Sequence, residues 1–239
     1  MHLPLASLAL LAIPLTAALC LRVPHTLPIP PIPELNEIKR SFKDARIVPD
    51  VIDEFDPSAQ VFLEWELDMA VTPGKSVNKS DSASTPILTA SNLPFGHRGP
   101  YLILTVDPDA PSHSDPKNSP FRHFLQTDLW LRGELSDELP YAWKLENEST
   151  PLSEWYPPAP PPGSGPHRYV TLLYAQPDDL DLTFVDWDDR KRFNVKRFAE
   201  RTGLNEPLAG LWFYVEVEDN DGESLVPADP QLQLVLDGT

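Results

Sequence analysis

The residues of this chain best suited to chemistry lie in two short motifs. YLILTVDPDAPSHSDPKNSPFRHF, Tyr101 to Phe124, carries Asp107 and Asp109 around Pro108 and ends on His123-Phe124; GPHRYVTLLY, Gly165 to Tyr174, carries His167 and Tyr169. Each joins a β-rich apolar run to a turn rich in Pro or Gly, which holds polar groups at strand ends on stiff backbone. In an extended segment Asp107 and Asp109 can lie on one side of the strand end. A carboxylate beside an imidazole raises the histidine pKa, which keeps the ring protonated as a double N–H donor to an anion. Tyr169 adds a hydroxyl donor. A shared site of this kind accepts a phosphate, sulfate or carboxylate head group. Bland alternatives stand beside it: Asp before Pro starts turns, Arg122 and Arg168 can pair with an Asp, and a lone His in a strand is often structural.

Other chemistries find less support. HExxH, CxxC, EF-hand, P-loop and dinucleotide motifs are absent, so a metal would need scattered ligands such as Asp107, His123 and His167. Gly163-Ser164-Gly165 lacks the leading glycine of a nucleophile elbow, and covalent catalysis is unsupported. The reading implies no metal and no cofactor.

The elements that must carry these residues are mostly strands. VFLEWELDMAV, TPILTASN, YLILTVD, RHFLQTDLWL, RYVTLLYAQ and LWFYVEVE are short, rich in β-branched and aromatic residues, and separated by Pro, Gly, Asn or Asp. Two helices are expected. Glu34 to Lys43 places Leu35, Ile38 and Phe42 on one face, and Asp188 to Thr202 places Phe193, Val195 and Phe198 toward the sheet, with Gly203 as its stop. Trp143 to Pro162, with Pro157, Pro158, Pro160, Pro161 and Pro162, reads as a long stiff connector of the kind that walls a site.

The ends read differently. Residues 1–20 are apolar, without Asp, Glu, Lys or Arg, and finish Ala18-Leu19-Cys20, so a removed secretory signal is expected. Residues 21–33 form a proline-rich linker, residues 34–220 one domain, and residues 221–239 an irregular tail. Cys20 is the sole cysteine, which excludes an internal disulfide. Sequons at Asn78 and Asn147 lie in polar, loop-like stretches open to glycosylation on a secretory route. The 36 Asp and Glu against 19 Lys and Arg leave −17, a field that opposes nucleic acid and anionic membrane. The mature chain carries no transmembrane segment by this reading.

Together, DPDAP at Asp107 to Pro111, Asp115-Pro116, His123-Phe124 and GPHRY at Gly165 to Tyr169 resemble the phosphatidylethanolamine-binding protein family. ARIVPDVIDEFDPSA, RFNVKRFAERTGL and LAGLWFYVE are similar to fungal members, carboxypeptidase inhibitors among them, and the likeness runs from about Leu35 to Glu218. The resemblance implies a β-dominated α+β domain: a central antiparallel sheet, a smaller second sheet and peripheral helices. It implies an anion pocket lined by Asp107, His123, His167 and Tyr169, edged by Asp109, Phe121 and Pro161. It also implies cis peptides at Ala110–Pro111 and Ser119–Pro120. Phe121 stands where the family usually has Trp, Arg122 replaces the first of two histidines, and no lid helix is legible after Asp219. The functions implied are binding of a small anionic ligand without catalysis, service to a cyclase in fungal polyketide metabolism of the anhydride type, or inhibition of a serine carboxypeptidase.

Overall fold

The computed structural model describes residues 34–218, apart from 66–68, 95–96, 138, 140 and 148. The expected leader, linker and tail, and the missing lid helix, lie outside the described residues. Three helices, α1 (Leu35–Asp44), α2 (Ile47–Asp50) and α3 (Val195–Thr202), accompany nine strands: β1 (Gln60–Trp65), β2 (Met69–Ala70), β3 (Lys75–Ser76), β4 (Ile87–Ser91), β5 (Tyr101–Asp107), β6 (Phe121–Leu135), β7 (Trp143–Asn147), β8 (His167–Ala175) and β9 (Ala209–Val215). They form one sheet ordered β2-β1-β4-β7-β6-β5-β8-β9-β3, antiparallel except for β3 on β9.

β6 explains why the sheet curls. Its first part pairs with β5 and its later part with β7, and Asp128, at φ 57°, sits at the register shift between them. One long strand therefore carries the pairing from a β6-β5-β8-β9 limb to a smaller β7-β4-β1 limb, so the two expected sheets are hydrogen-bonded into one. The limbs pack inward through Val61, Leu63, Trp65, Tyr101, Ile103, Phe124 and Phe213. On the opposite face Leu102, Leu104, Val106, Val170 and Leu172 meet Ile38 and Phe42 of α1 and Phe198 of α3. Both faces of β5 are covered, which is why YLILTV is apolar at nearly every position.

The helix at the N-terminal end lies where its spacing places it, closed by a capping box between Glu34 and Glu37. α3 begins seven residues later than Asp188, because Arg192 adopts φ 54° and Asn194 caps the helix by accepting from the Arg197 N–H. Residues 188–193 are instead irregular, with a turn at 191–192, and hydrogen-bond to the strand that carries His123, where the Arg122 N–H donates to the Arg190 carbonyl. β7 falls inside the expected connector; only Leu145 of its five residues is buried, which leaves no alternation to read. Asn78 lies in a turn, whereas Asn147 ends β7 rather than a loop, and its amide donates to the Ser149 carbonyl at 2.7 Å. Ala110–Pro111 and Ser119–Pro120 are both cis.

Candidate functional site

The side-chain period of two decides most of the site. On β5 and β8, Asp107, His167 and Tyr169 share the inward face with Tyr101, Ile103 and Leu173, while Arg168 and Val170 face the helices. His123 gets there by a different device. Between the pairs Thr105↔Phe124 and Val106↔Arg122 the ladder skips His123, a bulge that turns its ring to the inward side beside Phe124. No pattern in RHFLQ announces that bulge.

These residues line a cavity of about 170 Å³ with Phe121, Tyr156, Asn118, Pro161 and the small apolar Ala110, Pro111 and Ala159. Six of the seven residues expected at the site line it. Asp109 does not. Pro108 opens a turn in which the Asp109 N–H donates to Asp107 Oδ1 at 2.7 Å, and this sends the second carboxylate to the other side of the sheet. There it accepts from Arg168 N and Nε at 2.8 and 2.9 Å through one oxygen and from Nη2 at 2.8 Å through the other. Burial opposes its charge, but Arg168 and His113 outweigh burial and hold the carboxyl below its ordinary range. Arg168 also reaches the Ala45 carbonyl and Asp50, so Asp109 is an anchor between β5, β8 and the α1–α2 corner.

Asp107 and His167 form a buried pair, Oδ2 to Nδ1 at 2.8 Å. His167 Nε2 lies 3.0 Å from Ser164 Oγ, completing a Ser–His–Asp chain. The Ser164 hydroxyl donates to the Pro161 carbonyl at 2.6 Å, and Ser164 is not among the residues lining the cavity. The chain therefore has the order of a catalytic relay without a nucleophile facing a substrate space.

The expectation that both imidazoles carry a second proton fails at His123. Burial dominates there, outweighs the nearby Asp107 carboxylate, and pushes the pKa down to about 4. Its Nδ1 lies 2.6 Å from the Tyr156 carbonyl oxygen, an atom that can only accept, so Nδ1 holds the proton of the neutral ring. Burial pushes the Tyr169 hydroxyl up, with Asp107 adding to the effect and the Ala159 backbone opposing it, so it stays a donor. Its ring stacks on Phe213 at 5.3 Å and meets His123 edge-on at 4.9 Å.

Tyr156 is one of five lining residues not expected at the site, with Ala110, Pro111, Asn118 and Ala159, although the proline-rich connector was expected to wall a site. Its N–H donates to the His123 carbonyl at 2.8 Å, and its ring, about half exposed, closes against Phe121 at 5.4 Å. Arg190 sits over that ring and donates to the carbonyls of Arg122, His123 and Glu154, stitching the connector to the bulge. Arg122, in the position of the missing histidine, is buried away from the cavity. It bonds Ser153 and the carbonyls of Asp186 and Trp187, and lies over Trp187 and Phe193.

The chain is similar to proteins of known family and structure. The family model described as phosphatidylethanolamine-binding protein matches residues 64–213. Carboxypeptidase Y inhibitor of Saccharomyces cerevisiae is 31% identical over 207 residues, covering 74% of this chain and 94% of that protein. Phomoidride biosynthesis cluster protein N of Talaromyces stipitatus is 28% identical over 179 residues, covering 66% of this chain and 86% of that protein. Among solved structures, carboxypeptidase Y inhibitor in complex with its cognate proteinase superposes with a TM-score of 0.66 at 29% identity, over 79% of this chain and 98% of that one.

Proposed function

The chain belongs to the phosphatidylethanolamine-binding protein family, and on that premise we propose that it is a binding protein whose cavity takes the oxyacid head group of a small ligand. The observation that carries this reading is the convergence of Asp107, His123, His167 and Tyr169 on one small space with an apolar rim. Binding without turnover fits the Ser164 hydroxyl, which is committed to a carbonyl outside that space. Phosphate and acetate titrated into the purified protein test the reading by shifting the His123 and His167 ring resonances. His123→Ala or His167→Ala abolishes that binding; unimpaired binding in both folded variants rejects the assignment.

A protein partner is a second reading, favoured by similarity along nearly the whole length of a carboxypeptidase inhibitor. Purified protein added to a serine carboxypeptidase assay slows hydrolysis under this reading, and unchanged hydrolysis counts against it. Service to a polyketide cyclase rests on similarity to a biosynthesis cluster protein; a gene neighbourhood without a polyketide synthase dismisses it. A secretory route, proposed from residues 1–20 and the Asn78 and Asn147 sequons, predicts a processed N-terminus and a mass shift on deglycosylation. Among the described residues no helix is long and apolar enough to cross a membrane.

A further inference from the structure

We infer that the cavity takes its ligand as a protonated oxyacid, whose O–H is donated to His123 Nε2 while an adjacent oxo oxygen accepts from Tyr169. This rests on the binding reading above and names the form of the ligand. The argument is one of matching donors to acceptors. Asp107 accepts one N–H on each oxygen, from Asp109 and from His167. His167 is spent on both nitrogens, toward Asp107 and Ser164. His123 uses Nδ1 on the Tyr156 carbonyl and leaves Nε2 without a partner among the described residues. No buried side-chain nitrogen or oxygen described here is both sealed from solvent and unbonded, so Nε2 opens onto the cavity it lines.

What a ligand meets is therefore a lone pair at His123, a hydroxyl donor at Tyr169, the Asn118 amide at the edge, and a buried carboxylate behind them. Among the described residues no Lys or Arg lines the cavity. The groups facing His123 are Asp107 from β5, His167 and Tyr169 from β8, Tyr156 and Phe121 at the rim, and Arg190, whose guanidinium contacts the His123 carbonyl and not the ring. Burial sets this balance and keeps the ring neutral. A fully deprotonated oxyanion would set its charge against the His123 lone pair and beside the Asp107 carboxyl, while His167, whose two ring nitrogens are turned to Asp107 and Ser164, offers it no N–H. An acid that brings its own proton satisfies His123 and Tyr169 together. Carboxylic acids and hydrogen phosphates share this chemistry; sulfonates, which hold no proton at ordinary pH, lack it. The rim of Phe121, Tyr156, Pro111 and Ala159 suits an apolar body behind the acid.

The test titrates acetate, inorganic phosphate and methanesulfonate into the protein at about pH 5, 6 and 7, following ring resonances and, in two buffers of different ionisation heat, proton uptake. Acetate affinity falls about tenfold per pH unit as one proton is taken up per complex, and methanesulfonate binds at least about tenfold more weakly than acetate at about pH 5. The acetate and phosphate arms separate a carboxylic acid from a phosphate ester as the source. His123→Asn, which keeps the donor to Tyr156 and removes the Nε2 acceptor, flattens the acetate slope, whereas Tyr169→Phe weakens binding and leaves the slope. A pH-independent acetate affinity without proton uptake, or methanesulfonate binding as well as acetate, overturns the protonated-acid assignment while leaving anion binding intact. No binding by any of the three to folded protein overturns the binding reading itself.

Discussion

Acidification should destabilise this protein through one residue, and the size of the effect follows from the structure. His123 is 4% exposed, and its folded pKa of about 4 lies below the ordinary 6.5. As pH falls through that interval the unfolded chain takes up a proton that the fold refuses, so stability is intact above about pH 6.5 and is lost progressively down to about pH 4. Between about pH 7 and about pH 4.5 the loss is roughly 2.5 kcal/mol, a large share of the 5–15 kcal/mol typical of a domain. Carboxylates also titrate in this range, so the comparison must be differential. His123→Asn is the matched variant: its amide nitrogen stands near the place of Nδ1 and can still donate to the Tyr156 carbonyl, but it does not titrate. Urea unfolding followed by tryptophan fluorescence at the two pH values gives the answer. The wild-type midpoint should drop by roughly 1 M more than that of the variant. Equal drops in the two proteins would falsify the claim that burial holds His123 neutral.

Three further outcomes follow from single contacts. Arg122→Ala leaves Ser153 and the carbonyls of Asp186 and Trp187 without their donor and should cost about 3 kcal/mol or more; amide exchange should quicken first in residues 186–193. Asp109→Asn removes the charge that pairs with the Arg168 guanidinium and leaves it only Asp50 as an ionic partner, which should cost about 3 kcal/mol by chemical unfolding, with Arg168→Met in the same background recovering part of it. In Gly210→Ala the new Cβ would lie 2.5 Å from the Phe42 ring and 2.9 Å from that of Phe55, both held in the core, so overpacking should cost about 1–3 kcal/mol in a thermal unfolding scan.

The long apolar strands and the N-terminal helix were legible because burial on one or two faces writes itself into the sequence: YLILTV is covered on both sides, and Ile38 and Phe42 recur at helical spacing. β7 was not, since a strand whose Trp143 is exposed carries no hydrophobic alternation. At the site, the period of two was enough to align His167 with Tyr169, and the motif resemblance was enough to add Asp107. The sequence misled where backbone geometry overrides spacing. The turn at Pro108 separates two carboxylates that an extended chain would align, and the bulge at His123 reverses the face of a ring that strict alternation would send toward the helices. Arg122 could pair with an Asp on sequence grounds, and its guanidinium instead bonds Ser153 and the carbonyls of Asp186 and Trp187, fastening residues 186–193 on the outer face.

Charge alone would have misjudged the cavity as well. Two histidines beside a carboxylate suggest a cationic site, but the sign depends on which groups are desolvated and which nitrogens remain free. Asp107 is held by His167, while His123 is too buried to gain a charge, so the imidazole nitrogen left free among the described residues of the cavity is an acceptor. The bulge that delivers His123 to the cavity also buries it, and the Tyr156 carbonyl then fixes which nitrogen keeps the proton. One local irregularity in β6 thus sets both the acid sensitivity of the fold and the protonation state demanded of the ligand. The two can be separated experimentally: adding an acetate donor should restore stability to the wild type at about pH 5 by ligand linkage, and should do so less in His123→Asn, where the acceptor is gone. Equal stabilisation of both proteins would detach the acid sensitivity from the binding chemistry and leave His123 a structural residue only.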